Sequence, residues 1–176
     1  MRPFQNVLSF LGKFRRKTSG TTAIEFAIVA LPFFSLMFAI FDVSLVYFAT
    51  SALENAVAAA SREIRTGQAQ AAAMTQTQFR DLICARITPL LACDSHLVID
   101  VRKFTSFGTI ATPPALNPDG TFAGNSQFQI GTAGDVVVVR AFYAWPMLTP
   151  TGLTYSNMTG HSRLLSSATA FRNEPF

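Results

Sequence analysis

The apolar positions of this chain change their period twice, and the changes divide it. Residues 23–41 are 19 positions in which Glu25 is the only charge. As a helix they would extend about 28 Å, close to the ~30 Å of a bilayer's hydrocarbon layer. The apolar pattern runs on past Asp42 to Tyr47 and Phe48, a length that suits a tilted span or an aromatic belt at the far interface. From Val46 it becomes one-sided. Val46, Ala49, Leu53, Val57, Ala60 and Ile64 recur at three- and four-residue spacing, with Glu54, Asn55, Arg62, Glu63 and Arg65 set largely elsewhere. One helix of ~69 Å is therefore expected over 21–66, first membrane-spanning and then amphipathic. Arg62 and Arg65 suit its C-terminal dipole, and Gly67 is a natural stop. The small residues Ala56, Ala59 and Ala60 serve either close approach in a helix bundle or, as we expect, packing on the chain's own domain. Pro32 cannot donate to the carbonyl of Ile28. It either kinks the helix or is accommodated by Ser35 or a neighbouring helix covering the freed group.

Residues 68–74 are small and read as flexible or frayed. A second helix should start at Thr75, where Thr-Gln-Thr-Gln offers a capping box, with a core face of Phe79, Leu82, Ile83, Ile87 and Leu90. Pro89 disfavours a helical Thr88, so the helix should end or bend there. Strand-like patterns follow at Leu97–Phe104, Val136–Ala144 and Ser162–Phe171. Between the first two lies a stretch, 105–134, rich in Gly, Pro, Thr and Asn, in which Phe122–Ile130 is a candidate short hairpin. The expected fold is α+β: a long N-terminal helix, then a small domain with a second helix and an antiparallel sheet of about three or four strands. The expected divisions are a basic leader (1–20), the helix (21–66) and an exported domain (67–176).

Charge sharpens this picture. The formal charge of the 176-residue chain is +4, but Arg2, Lys13, Arg15, Arg16 and Lys17 all precede Gly20, and no acidic residue does. Nine basic residues face ten acidic ones afterwards, so the exported part is near neutral and a nucleic-acid groove is not expected. The positive flank instead predicts a cytoplasmic N-terminus with attraction to anionic lipid. The long apolar run argues against an ordinary secretory signal, whose core is about 7 to 15 residues.

A carboxylate near a bilayer costs a few kcal/mol, on the order of 2.5–3.5, and so requires a reason. One is a glutamate snorkelling at a helix start, favoured by the helix dipole. Another follows if the chain is cut after Gly20, where a missing Cβ admits a peptidase. Thr21 then acquires an α-amino group, and Glu25 can be neutralised by that amine on a neighbouring subunit.

The basic leader, Gly20, Thr-Thr-Ala-Ile-Glu-Phe and the apolar helix resemble the class III prepilin signals of type IV pilus systems. The Glu25-Phe26 pair resembles that of TadE-like minor pseudopilins of the tight-adherence (Tad/Flp) branch, whose small major pilin usually carries Glu-Tyr. Cys84 with Cys93, the Phe142–Pro146 stretch and the Phe171–Phe176 tail are also similar to that family. The resemblance implies a single-pass protein of the bacterial inner membrane, N-terminus cytoplasmic and C-terminal domain periplasmic, or a component of the surface pilus. It implies cleavage after Gly20 by a prepilin peptidase, assembly through Glu25 and Phe26, and a helix proline at Pro32. Its implied partners are other pilins and pseudopilins, the inner-membrane platform, the assembly ATPase and membrane lipid, and its implied roles are adherence and biofilm formation. A membrane-resident assembly factor that never enters the filament is the alternative.

The two cysteines are expected to form a disulfide outside the cytoplasm. Cys84, Cys93 and His96 as zinc ligands would lack a fourth partner, and no metal or cofactor is expected. His96 and His161 are the only histidines. Neither sits in a recognisable catalytic motif, so no enzymatic activity is expected.

Overall fold

The computed structural model describes residues 20–87, 91–93, 96–148 and 155–176. Residues 1–19 of the basic leader, and Thr88, Pro89 and Leu90, lie outside them. The order of elements is α1 (Thr21–Arg65), α2 (Gln68–Ala71), α3 (Gln76–Ile87), β1 (Leu97–Phe104), a 3-10 turn (Phe107–Thr109), β2 (Val136–Pro146) and β3 (Ser162–Arg172). The fold is α+β, with three antiparallel strands in the order β1-β2-β3. Compactness divides the chain at Phe41/Asp42, so the C-terminal part of α1 belongs to the same unit as the sheet.

In that second unit α1 buries Ala49, Leu53, Ala56, Val57, Ala60 and Ile64 on one face. The three- and four-residue spacing aligns these side chains over successive turns, and small residues let the sheet approach closely. Ala56 and Ala60 are thus used within the domain. The face of the sheet that meets them is set by strand alternation: Leu97, Ile99 and Val101 from β1, Val137, Val139 and Ala141 from β2. Phe79, Ile83 and Ile87 of α3 complete the same core, with Leu82 only partly buried.

Local signals end the helices. Gly67 adopts φ +82°, and its amide donates to the carbonyl of Ile64. A Cβ at Gly67 would lie only 2.4 Å from Cγ of the Phe176 ring. The capping box at α3 is formed reciprocally: the Thr75 amide donates to Gln78 Oε1 at 2.9 Å and the Gln78 amide to Thr75 Oγ1 at 3.3 Å. Residues 68–71, expected to be frayed, instead form the short α2. Ala69 is buried there and Gln70 donates to the Ile130 carbonyl at 3.0 Å, tertiary contacts that composition does not announce.

The candidate hairpin at Phe122–Ile130 is replaced by something less local. Gln127 and Gln129 bracket Val101 with two backbone hydrogen bonds of 2.8 and 2.9 Å, so this segment lies parallel along the outer edge of β1. Phe128 is drawn toward the core, its ring 5.7 Å from that of Phe79. Phe122 pairs with Leu116 around a turn in which Gly120 takes φ +78°. Long-range burial has outcompeted a local turn.

Candidate processing and assembly segment

Gly20 immediately precedes α1, and a Cβ placed on it would meet no atom of the described residues within 4 Å. Thr21 begins the helix and Glu25 follows at i+4, one turn on and on the same face. Glu25 is exposed, as is Phe26 at 69%. Beyond them the apolar side chains are exposed all round α1, from Ile24 at 60% through Leu31 at 72% to Phe41 at 60%. A helix apolar on every face is stable in water only when covered, so this one suits lipid or other helices. The stretch is long and apolar enough to cross a membrane, and none of its most apolar 18-residue window is buried.

Pro32 lies inside α1, which continues through it. The Ser35 hydroxyl donates to the carbonyl of Leu31 at 2.8 Å. Ser35 therefore serves its own i−4 carbonyl, a bond that tends to bend helices, and leaves Ile28 to other groups.

Cys84 and Cys93 are joined, with Cα atoms 5.7 Å apart, within the ordinary disulfide range. This removes both thiolates from metal ligation. The bond ties the end of α3 to the turn before β1, and the Arg80 guanidinium donates to the Cys93 carbonyl from the same helix. The His96 ring lies 6.0 Å from that of Tyr143.

One charged cluster escapes the sequence pattern. Asp100 of β1 stands directly opposite Arg140 of β2, both buried on the sheet face that turns away from α1. Asp100 accepts from Arg140 Nη2 at 2.6 Å and Nε at 3.1 Å, from Arg102 Nε at 2.9 Å and from the Gln127 amide at 2.8 Å. Burial pushes its carboxyl upward, but the hydrogen bonds from Arg102, Arg140 and Gln127 together outweigh this and hold it below the ordinary carboxylate range. The same arginines reach the overlying loop, Arg140 donating to the Pro113 carbonyl at 2.7 Å and Arg102 to that of Asn125 at 2.5 Å. Arg140 also lies 5.1 Å from the centre of the Phe142 ring. The cluster is consumed by its own hydrogen bonds and fastens 113–127 to the sheet. It is a structural clasp, and the cavity that Asp100 lines with Ala115, Phe122 and Phe142, about 10 Å³, is about the size of one water.

The Phe171–Phe176 tail is equally structural. Buried Asn173 donates to the carbonyls of Ile130 and Thr132 at 3.0 Å, and the Glu174 amide donates to that of Arg65 at 2.9 Å. The tail thereby joins the end of α1 to the loop preceding β2.

The family model described as TadE-like protein matches residues 20–62, from the glycine before α1 almost to that helix's end. No curated protein and no solved structure matches the chain. Over its N-terminal helix the chain is TadE-like, consistent with a TadE-like protein of the Tad system, and its apolar helix is consistent with a membrane-anchored pilus protein.

Proposed function

We propose that this TadE-like chain is a minor pilin or pseudopilin of a tight-adherence pilus, anchored in the inner membrane by α1 and processed after Gly20. The observation that carries this reading is one of position: the family match opens at Gly20, where α1 begins, with Glu25 and Phe26 exposed one turn further on. In this reading residues 1–20 form a cytoplasmic leader, 21–66 the anchoring helix and 67–176 the periplasmic domain. A prepilin peptidase adds water across the Gly20–Thr21 bond, leaving a carboxylate on the leader and an α-amino group on Thr21. The chain itself has a structural role, and the peptidase performs the chemistry.

In a bilayer or a filament of stacked helices, Glu25 needs a positive neighbour to offset its desolvation. The Thr21 amine of an adjacent subunit supplies one, and only after cleavage. The contact makes assembly conditional on processing. Pro32, a few residues on, gives α1 a place to bend where such helices pack. The platform proteins, the assembly ATPase and other pilins are the remaining partners. Mass spectrometry of protein recovered from cells with the full assembly system tests the reading. The expected N-terminus is Thr21. Recovery only of chains still carrying the leader would overturn the processing claim, and absence of the chain from sheared pili would assign it to the membrane machinery instead.

A further inference from the structure

Within the second unit, a groove of about 320 Å³ opens between α1 and the far end of the sheet, lined by Val43, Val46, Tyr47, Met147, Tyr155 and Arg163. Val43, Val46 and Tyr47 share one face of α1 at i, i+3 and i+4. Met147 follows β2, and Arg163 is the second residue of β3. The floor is apolar, and among the described lining residues the one formal charge is the arginine.

We infer that this groove binds an anionic phospholipid, with acyl methylenes against Val43, Val46 and Met147 and the headgroup phosphate on the Arg163 guanidinium. Three observations support that occupant. First, the position along the chain fits: Val43 follows Phe41, the last residue of the 23–41 apolar run, by two residues. Counted by helical rise, the α1 side of the groove begins about 3 Å and ends about 9 Å beyond that run, and the headgroup layer on one side of a bilayer is about 5–8 Å thick. Second, the charge is complementary. Arg163 spends Nη1 on the Tyr155 carbonyl at 2.8 Å, and a guanidinium carries five donors in a fork that fits a phosphate. Third, Tyr47 and Tyr155 are exposed at 74% and 58%, as befits amphipathic rings at a membrane interface.

The inference rests on α1 spanning the bilayer as proposed, so its test reads insertion separately. The full chain is reconstituted into vesicles of phosphatidylcholine, with or without phosphatidylglycerol. Flotation after a carbonate wash reports insertion, and native mass spectrometry of the released protein reports retained lipid. The wild type should retain one phosphatidylglycerol in preference to phosphatidylcholine. Arg163→Gln should reduce that preference about fivefold, the worth of one cation at an anionic surface, and Arg163→Lys should keep most of it. Val43→Trp, at the exposed rim, should lower retention of both lipids. All four proteins should float. An unchanged preference in Arg163→Gln, unchanged retention in Val43→Trp, or a lipid-free dimer closed over the groove would overturn the site while leaving the anchor intact. A wild type that fails to float would overturn the anchor itself.

Discussion

Replacing Asp100 by Asn keeps the shape of the clasp and removes its charge. Arg140 is 9% exposed and Asp100 2%, so the guanidinium cannot turn to bulk water for compensation. The new amide presents N–H groups to guanidinium donors and forfeits charge-assisted hydrogen bonds now at 2.6 and 3.1 Å. Breaking one side of a buried ion pair costs about 3–5 kcal/mol. Arg102, with 15% of its side chain exposed, can recover water, which places the expected cost near ~3 kcal/mol. For a domain of this size that is a fall in Tm of roughly 10 °C.

Trp145 is the chain's only tryptophan, packed against the core beside Tyr143, so its fluorescence reports unfolding of the full chain in detergent. Limited proteolysis should show 105–134 cut sooner, because both arginines that hold it lose their anchor. A fall in Tm below about 3 °C with an unchanged cleavage pattern would refute the reasoning. Replacing both partners, Asp100→Leu with Arg140→Met, should not recover the loss, since the Gln127 amide, the Pro113 carbonyl and the Arg102 guanidinium lose their partners as well. Acid gives an independent check. The folded carboxyl is held below its ordinary value of 3.8, so its contribution is complete above that pH and is lost as pH falls through the lower, folded value. Wild type should lose stability along that descent more steeply than Asp100→Asn.

Gly67→Ala forces φ +82° on a residue with a Cβ and drives that atom into the Phe176 ring. A loss of at least ~1–2 kcal/mol is expected from the backbone alone, and adding Phe176→Ala should relieve only the steric remainder in a thermal melt. A neutral single variant would show that the helix end relaxes freely. Reducing the Cys84–Cys93 bond, which closes a nine-residue separation, should lower stability by about 2.7 kcal/mol on the chain-entropy account. The urea midpoint should shift with reductant in the wild type and not in the double serine variant, and identical wild-type curves would refute a stabilising bond. Glu25→Ala should be cleaved normally but recovered poorly in sheared pili, and normal incorporation would exclude the carboxylate–amine contact. Gly20 replaced by a bulky residue should block cleavage while leaving the Trp145 melt unchanged.

What was legible in the sequence follows from how far apart the deciding residues lie. The helix from 21 to 65, the capping box at Thr75 and the three strands each declare themselves within a few turns or a few alternations, and the structure places them within two residues of their expected bounds. The awkward setting of Glu25, from which its proposed role is argued, is local in the same way. The residues that make its charge costly are its immediate neighbours on α1, and the glycine that suggests a remedy is five positions away.

The clasp has no such local signature. Alternation in Leu97–Phe104 places Asp100 and Arg102 together on one face, and a polar face on an edge strand ordinarily meets solvent. The 105–134 stretch, by its glycines and prolines, ordinarily meets solvent as well. Most of that stretch does face solvent, yet its inner side and the charged face of β1 cover one another. Asp100 captures the Gln127 amide while Arg140 and Arg102 hold the carbonyls of Pro113 and Asn125, so the strand's charges satisfy loop backbone that would otherwise need water. That exchange explains why β2, between two strands and under this loop, is buried from Val136 through Ala144 despite carrying an arginine. A buried charge in a strand pattern, followed by a long polar loop and a second charge of opposite sign in the next strand, is thus a signal in its own right. It should be read as a loop folded back on a sheet before it is read as a mobile segment.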